Sequence, residues 1–538
     1  MSWATLAKNW SNCIRLESSE WCNHAAANWN RLPRDFLGQL PHRPADCPRQ
    51  EPPPGGYHRC RHHRGGPCFR RPLDGEPGVP AAVHQDCRRN RAGRDAGHRR
   101  LDRPGAETRG RPAGKTIGMS ENTKNGNDTQ HNGALAGYRV LDFGWVLAGA
   151  IPGMVLADMG AEVIKVETRQ RLDYMRLGRP IVGDQPDPEQ NPMFHNVNRG
   201  KLSITLNISE PDAVALAKRL VEKCDVVIEN FSPGVMERLG LGYETLRAIK
   251  PDIIMASISS TGQDGPLRDL RAYAPSIGAL SGLDSTMGYE GGGPLGLKHA
   301  FGDICGALHA VFAIASSLYR RNQTGQGQYI DVSMLRATVV TQGVGLMEHA
   351  LTGRALQPRG NYDPTMVPYG NYPCAPGPNG IGDKWVSIAV ASEDEWQGLL
   401  AAMGRPAWAD DRRFRSQYRR QRHRRELDAL LSQWTAQHDA DAITELLQQH
   451  GVAAAPVLSA EERLFHPHFM ERGLYRDIDH PALGAEPIFN LMWNLSKTPS
   501  AVRRHAPLMG EHNRQVLCDM LGVSDGELSE LEERQVVY

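Results

Sequence analysis

From residue 138 to residue 333 the chain alternates short apolar runs with longer stretches in which apolar residues return every third or fourth position. The short runs at 138–143, 162–167, 203–207, 226–229, 253–258 and 328–333 predict strands. The longer stretches predict helices. One opens at Pro152 and stops at Gly160, one covers 213–224 with Leu216, Leu220 and Val221 on a single face, and one covers 235–249 around a glycine-rich kink. Short strands separated by helices call for an α/β fold with a parallel sheet covered on both faces. In such sheets ligands bind beyond the carboxyl ends of the strands. The turn after the first strand reads Gly144-Trp-Val-Leu-Ala-Gly149, which lacks the Gly-x-Gly-x-x-Gly that lets a backbone hug a pyrophosphate; a nicotinamide dehydrogenase is disfavoured.

Residues 302–321 form one long predicted helix, apolar on nearly every side and small at Gly306, Ala307, Ala310 and Ala313. A helix apolar all round is expected to be buried. Asp303 falls in its first turn and Arg320 and Arg321 in its last, the arrangement that the helix dipole favours. Further on, residues 357–383 are rich in Pro and Gly, and then a strand is predicted at 385–390 and helices at 393–403 and 426–448. From about 487 to 538 the chain is expected to return to the larger unit, with a final helix around 514–521. The expected organisation is a leader at 1–118, the first part of a large Rossmann-like domain at 119–345, a linker and smaller α/β domain at 346–470, and a return to the large domain at 471–538.

Composition separates the leader from the rest. The chain has 62 Lys and Arg against 61 Asp and Glu, a balance that argues against a dedicated nucleic-acid binder. Residues 1–118 carry 21 basic and 11 acidic residues, leaving 41 and 50 in the body. The leader is rich in Arg, Pro, Gly, His and Ala without a sustained period, so disorder is expected, and Met119 resembles an ordinary start preceded by translated upstream sequence. Its His58-Arg-Cys60-Arg-His62-His63 and Cys68 match no tetrahedral zinc spacing, and no metal site is expected. Cys224, Cys305, Cys374 and Cys518 are widely spaced, which fits a reducing compartment. No run approaches the roughly 18 apolar residues of a membrane helix and no secretory layout opens the chain, so a cytoplasmic location is expected.

Several separate stretches resemble the class III CoA-transferase family, which includes formyl-CoA and carnitine CoA-transferases. They are Gly137-Tyr-Arg-Val-Leu-Asp-Phe143, Asp158-Met-Gly-Ala-Glu-Val-Ile-Lys-Val-Glu167, Asp225-Val-Val-Ile-Glu-Asn-Phe-Ser-Pro-Gly234, Gly302-Asp303, Gly325-Gln-Gly-Gln-Tyr-Ile-Asp-Val-Ser333 and Gly510-Glu-His512. The likeness spans nearly all of 137–538. It implies a Rossmann-like large domain with a smaller one, two chains interlocked as rings in a homodimer, and no permanently bound cofactor, CoA thioesters and carboxylic acids being the substrates.

By the same resemblance Asp303 is the nucleophile, passing through an aspartyl anhydride and an aspartyl-CoA thioester; taken alone, the residue reads first as a helix cap, and the resemblance reverses that order. The helix amides are expected to keep it charged. CoA contacts are implied at Leu206 and Asn207, at Asn230, Phe231 and Ser232, at Arg238, and at Arg271 with Tyr273. Thr168 stands where relatives often carry Arg or Lys, which moves a phosphate contact to Arg169, and Ala274 stands where they often carry an acid. Gly360 and the run 377–382 are the candidates for a glycine-rich loop, and structural roles are expected for His299 and His309. Trp145, Leu147 and Met347 would suit a bulkier acid than formate or oxalate. An acyl-CoA racemase of the same fold remains as an alternative, although its His is missing from Arg271-Ala-Tyr273-Ala-Pro. A CoA-binding protein without turnover is the other alternative.

Overall fold

The computed structural model describes residues 133–538 except 181, 183–185, 298 and 378–382; the leader, with its His and Cys cluster, and most of the run 377–382 lie outside the described residues. Six parallel strands, β1 (Arg139–Asp142), β2 (Glu162–Glu167), β3 (Leu202–Thr205), β4 (Val226–Glu229), β5 (Ile254–Ser259) and β6 (Gln328–Ser333), form one sheet in the order β3-β2-β1-β4-β5-β6. Every residue of β3, β4 and β5 is buried; β4 and β5 open with continuous apolar triplets, whereas β3 alternates Leu202 and Ile204 with Ser203 and Thr205. Successive side chains point to opposite faces. Leu141, Ile164, Ile204 and Val227 pack with Leu216, Leu220 and Val221 of the helix Pro211–Lys223. Val140, Val163, Val226 and Ile254 pack on the other side with Leu156 and with Ala310, Ile314 and Leu318 of the long helix Phe301–Thr324.

That long helix departs from expectation in two ways. It is buried along one face only, while Phe312 (74 % exposed) and Tyr319 (72 %) project from the other. An apolar periphery therefore meets no partner among the described residues. The helix is also long and apolar enough to cross a membrane, with a mean hydropathy of 1.5 over 18 residues. Searching for an unbroken apolar run missed it, because scattered polar residues interrupt the run without lowering the average much. Here the helix packs on β5 and β6, and Arg321 at its last turn bonds Asp225 at 2.8 Å.

Residues 235–249 form two short helices, Val235–Arg238 and Tyr243–Ile249, because Gly240 takes φ 69° and breaks the run. Likewise 426–448 divides into Arg424–Thr435 and Ala440–Gln449, the second started by Asp439, whose carboxylate accepts from the amides of Asp441 and Ala442. These helices and Glu393–Ala402 cover an antiparallel sheet, β7 (Tyr369–Pro373), β8 (Trp385–Ala389) and β9 (Ala453–Pro456), around Trp396, Phe414, Leu431 and Leu447. A hairpin follows, β10 (Tyr475–His480) with β11 (Gly484–Phe489).

The chain then runs back to the six-stranded sheet. Val516, Leu517, Leu528, Leu531 and Val536 join the core under β1–β4, and the Thr205 hydroxyl donates to the carbonyl of Tyr538 at 2.8 Å. The last helix is not at 514–521, where a wider π turn Gln515–Met520 forms; it is Asp525–Glu533, started by Ser524.

Candidate active site

The strand order reverses between β1 and β4, and the turns beyond those two strands define the crevice. Asp142, the fully buried last residue of β1, accepts from the Gly144 amide at 2.7 Å and from Lys201 Nζ at 2.7 Å. Burial pushes the Lys201 ammonium down to about 8 although Asp142 opposes the shift. Lys165 Nζ donates to the Gly144 carbonyl at 2.7 Å and lies 3.4 Å from Asp173, which in turn accepts from the amide of Val146. Val146 is thereby held at φ 57°, a conformation unfavourable for a β-branched residue. Two buried lysines and two carboxylates thus fix this turn from beneath.

Asn230, just past β4, closes the crevice from the other side. Its Oδ1 accepts from the Trp145 amide at 2.8 Å and its Nδ2 donates to the Trp145 carbonyl at 3.0 Å. Gly149 makes room for this latch, since a Cβ there would lie 2.4 Å from Asn230 Oδ1. The Trp145 ring meets Phe231 edge-on at 6.1 Å and carries the Arg171 guanidinium 5.1 Å above it. The amide of Phe231 donates to Glu229 Oε2 at 2.7 Å; burial pushes the Glu229 carboxyl up to about 7.

The other candidate CoA contacts arrange themselves along the same carboxyl edge, with unequal access. Leu206 is a core residue and Asn207 is buried, its Oδ1 accepting from the Ser209 amide at 3.3 Å. Ser232, Arg238, Arg271, Tyr273 and Arg169 are exposed, Tyr273 as the residue preceding the helix Ala274–Leu280. Leu147 packs with Met175, Phe194 and Ala506, whereas Met347 is exposed on the helix Gly343–Thr352, so Trp145, Leu147 and Met347 do not form one wall.

Asp303 sits in the first turn of the long helix, whose far end is pinned at the amino edge of β4 by Arg321 and Asp225. Eighteen residues of helix span about 27 Å, so Asp303 overlooks the carboxyl edge. Gly302 and Gly306 let this end approach its neighbours closely: a Cβ would come 2.7 Å from Ile277 Cγ2 in the first case and 2.7 Å from Met334 Cγ in the second. The carboxyl is partly buried, and desolvation alone pushes it up to about 6. Among the described residues no hydrogen bond or ion pair reaches it, contrary to the expectation that helix amides hold the charge. His299 is exposed, and His309 Nδ1 lies 2.7 Å from the Cys305 carbonyl. Gly360 donates its amide to Gly288.

Charged residues buried within strands were missed in the sequence, although Lys165 between Ile164 and Val166 was a readable sign: a cation in an apolar strand needs a partner. Arg176 is the largest omission. It grips Glu167 through two bonds, at 2.8 and 2.9 Å, reaches Glu189 at 2.8 Å and covers the Phe194 ring at 3.7 Å. This pairing holds the Glu167 carboxyl below its ordinary range against the opposing effect of burial.

Residues 135–513 match the family described as CoA-transferase family III. The chain belongs to the class III CoA-transferases. Succinyl-CoA–D-citramalate CoA-transferase of Chloroflexus aurantiacus is 34 % identical over 399 residues, 74 % of this chain and 97 % of its own length. Succinate–glutarate CoA-transferase of Agrobacterium fabrum is 33 % identical over 388 residues, 72 % and 95 % of the two chains. The crystal structure of a CAIB/BAIF family protein from Brucella suis superposes with a TM-score of 0.66 at 31 % identity, covering 72 % of this CoA-transferase and 99 % of that chain. The α/β fold and the transferase class are thereby established.

Proposed function

We propose that this transferase moves CoA from an acyl-CoA donor to a free carboxylic acid in covalent stages at Asp303. The Asp303 carboxylate attacks the thioester carbonyl, the C–S bond breaks, and an acyl-aspartyl anhydride and CoA thiolate result. The thiolate attacks the aspartyl carbonyl and expels the donor carboxylate, leaving an aspartyl-CoA thioester. The acceptor carboxylate attacks that thioester, and the freed thiolate then takes the acceptor acyl group from the anhydride and restores Asp303.

The observation that carries this reading is a carboxyl stripped of partners at the carboxyl edge of the sheet. Water and hydrogen bonds quench a carboxylate as a nucleophile; Asp303 has lost much of the first and accepts none of the second from the described residues. At pH 7 a group titrating at about 6 is still about nine-tenths ionised.

One relative's name pairs succinyl-CoA with D-citramalate and the other's pairs succinate with glutarate, which supports succinyl-CoA as donor and a dicarboxylic acid as acceptor. A homodimer completes the proposal. Phe312 and Tyr319 expose an apolar strip on the Asp303 helix, and Val344 and Leu351 another on the helix Gly343–Thr352, that a second copy would cover. Free Cys224, Cys305, Cys374 and Cys518 support a reducing, cytoplasmic setting.

Hydroxylamine added during turnover of succinyl-CoA is expected to leave a hydroxamate on the peptide containing Asp303. Asp303→Ala is expected to abolish both adduct and transfer while its circular dichroism stays native. Normal transfer by that variant would overturn the assignment. A panel of mono- and dicarboxylic acceptors tests the substrate class.

A further inference from the structure

Gly234 follows β4 in a left-handed conformation, φ 78°, and a Cβ on it would point between two guanidinium groups: Arg238 Nη1 at 3.2 Å and Arg268 Nη2 at 3.9 Å. The two cationic ends therefore lie within about 7 Å of each other, by the sum of those distances. They arrive from different strands. Arg238 ends the short helix after β4, and Arg268 belongs to the loop after β5.

The loop that carries Arg268 is built, turn by turn, onto the sheet. The Thr261 hydroxyl donates to the Leu267 carbonyl at 2.7 Å, the Ser260 hydroxyl to Leu270 at 3.2 Å, and the amide of Gln263 to Asp331 of β6 at 3.1 Å. Gly262 and Gly265, at φ 103° and 84°, permit the bends. Arg268 is thus presented from a tied-down loop.

No acid separates the pair. Among the described residues Arg238 forms no ion pair, and Arg268 is near only Asp269, at 3.7 Å and largely exposed. Two cations held this close repel each other, and among the described residues only the largely exposed Asp269 offsets their charge. An anion with several acceptor oxygens would bridge both forks, as phosphate does.

We infer that Arg268 and Arg238 form a two-armed clamp for a phosphate group of the CoA nucleotide, Arg268 being a binding residue for this transferase. The inference rests on the proposed CoA-binding edge and adds a residue to it. The 3′-phosphate and the diphosphate share the required chemistry, and the choice between them is left to the experiment.

Arg238→Ala, Arg268→Ala and Arg268→Lys are compared by titrating CoA and dephospho-CoA into the full-length protein, with thermal unfolding as the control for folding. Each alanine variant is expected to bind CoA about 10- to 100-fold more weakly, the range for a charge-assisted hydrogen bond, and Arg268→Lys to fall between because it loses the fork. If the Arg268→Ala loss disappears with dephospho-CoA, the clamp holds the 3′-phosphate; if it persists, the diphosphate. Unchanged CoA binding by Arg268→Ala beside a weakened Arg238→Ala overturns the clamp and leaves the CoA edge standing. Unchanged binding by both overturns the clamp and that edge together.

Discussion

Replacing Asp303 by Asn separates what the carboxyl does for catalysis from what it costs the fold. The two side chains have nearly the same shape, so packing against the turn at Gly302 is preserved. Burial moves the Asp303 carboxyl from 3.8 to about 6, which corresponds to about 3 kcal/mol of free energy favouring the neutral form. Partial solvent access reduces this to about 1–2 kcal/mol. Between those two values the native state holds more proton than the unfolded chain, so the contribution to stability falls as pH rises and the cost is complete above about 6. Asp303→Asn is therefore expected to unfold at a higher temperature than the parent at pH 8 and at the same temperature near pH 4, with transfer abolished at both. Scanning calorimetry across that range gives the comparison. In the parent protein the rate should climb with pH through about 6, since only the ionised carboxyl attacks. An Asn variant no more stable than the parent at pH 8, or offset equally at both pH values, would refute the claim that this carboxyl is desolvated and unpaired.

Arg176→Met leaves Glu167 buried without its bidentate partner, and a loss of about 3–5 kcal/mol in urea unfolding is expected; an unchanged midpoint would show that Glu167 does not depend on Arg176 for its buried charge. Gly149→Ala drives a methyl into Asn230 Oδ1 and should break the latch on Trp145, raising KM for acyl-CoA about tenfold with a smaller effect on kcat; an unaltered KM would separate the latch from CoA binding. Phe312→Glu combined with Val344→Asp places charge on both exposed apolar strips, and sedimentation should then report a monomer; a dimer that survives both changes lies on another surface.

The parts of the fold that were legible are those whose burial is local and two-sided. Residues 226–228 and 254–256 announce themselves because each side chain meets a covering layer, so apolar residues follow one another without alternation. Strand β9, Ala-Ala-Ala-Pro, and strand β7, Tyr-Gly-Asn-Tyr-Pro, gave no such sign: they carry no β-branched residues and owe their extension to pairing with β8. The hydrogen bonds that tie the carboxyl-terminal return to the sheet were illegible for a different reason. Arg176 reaches Pro507 across 331 positions and Thr205 reaches Asn513 across 308, and no periodicity records a bond of that span.

Asp303 stands between these cases. Its place at the start of a long apolar helix was readable and implied burial, yet the groups that desolvate it were not, because Gly302 and Gly306 let Ile277 and Met334 close in. The same helix carries more hydrophobic surface than one sheet face can use, and the excess, at Phe312 and Tyr319, lies on the side turned away from β5 and β6. Apolar area left in water is unfavourable by roughly 25 cal/mol per Å², so a strip of large side chains on a helix that also bears the nucleophile is a persistent force toward a covering partner. At about 100° per residue Phe312 and Tyr319 lie on the side of the helix opposite Asp303, so a partner covering them would leave the carboxyl's own surroundings, set by Ile277 and Met334, as they are.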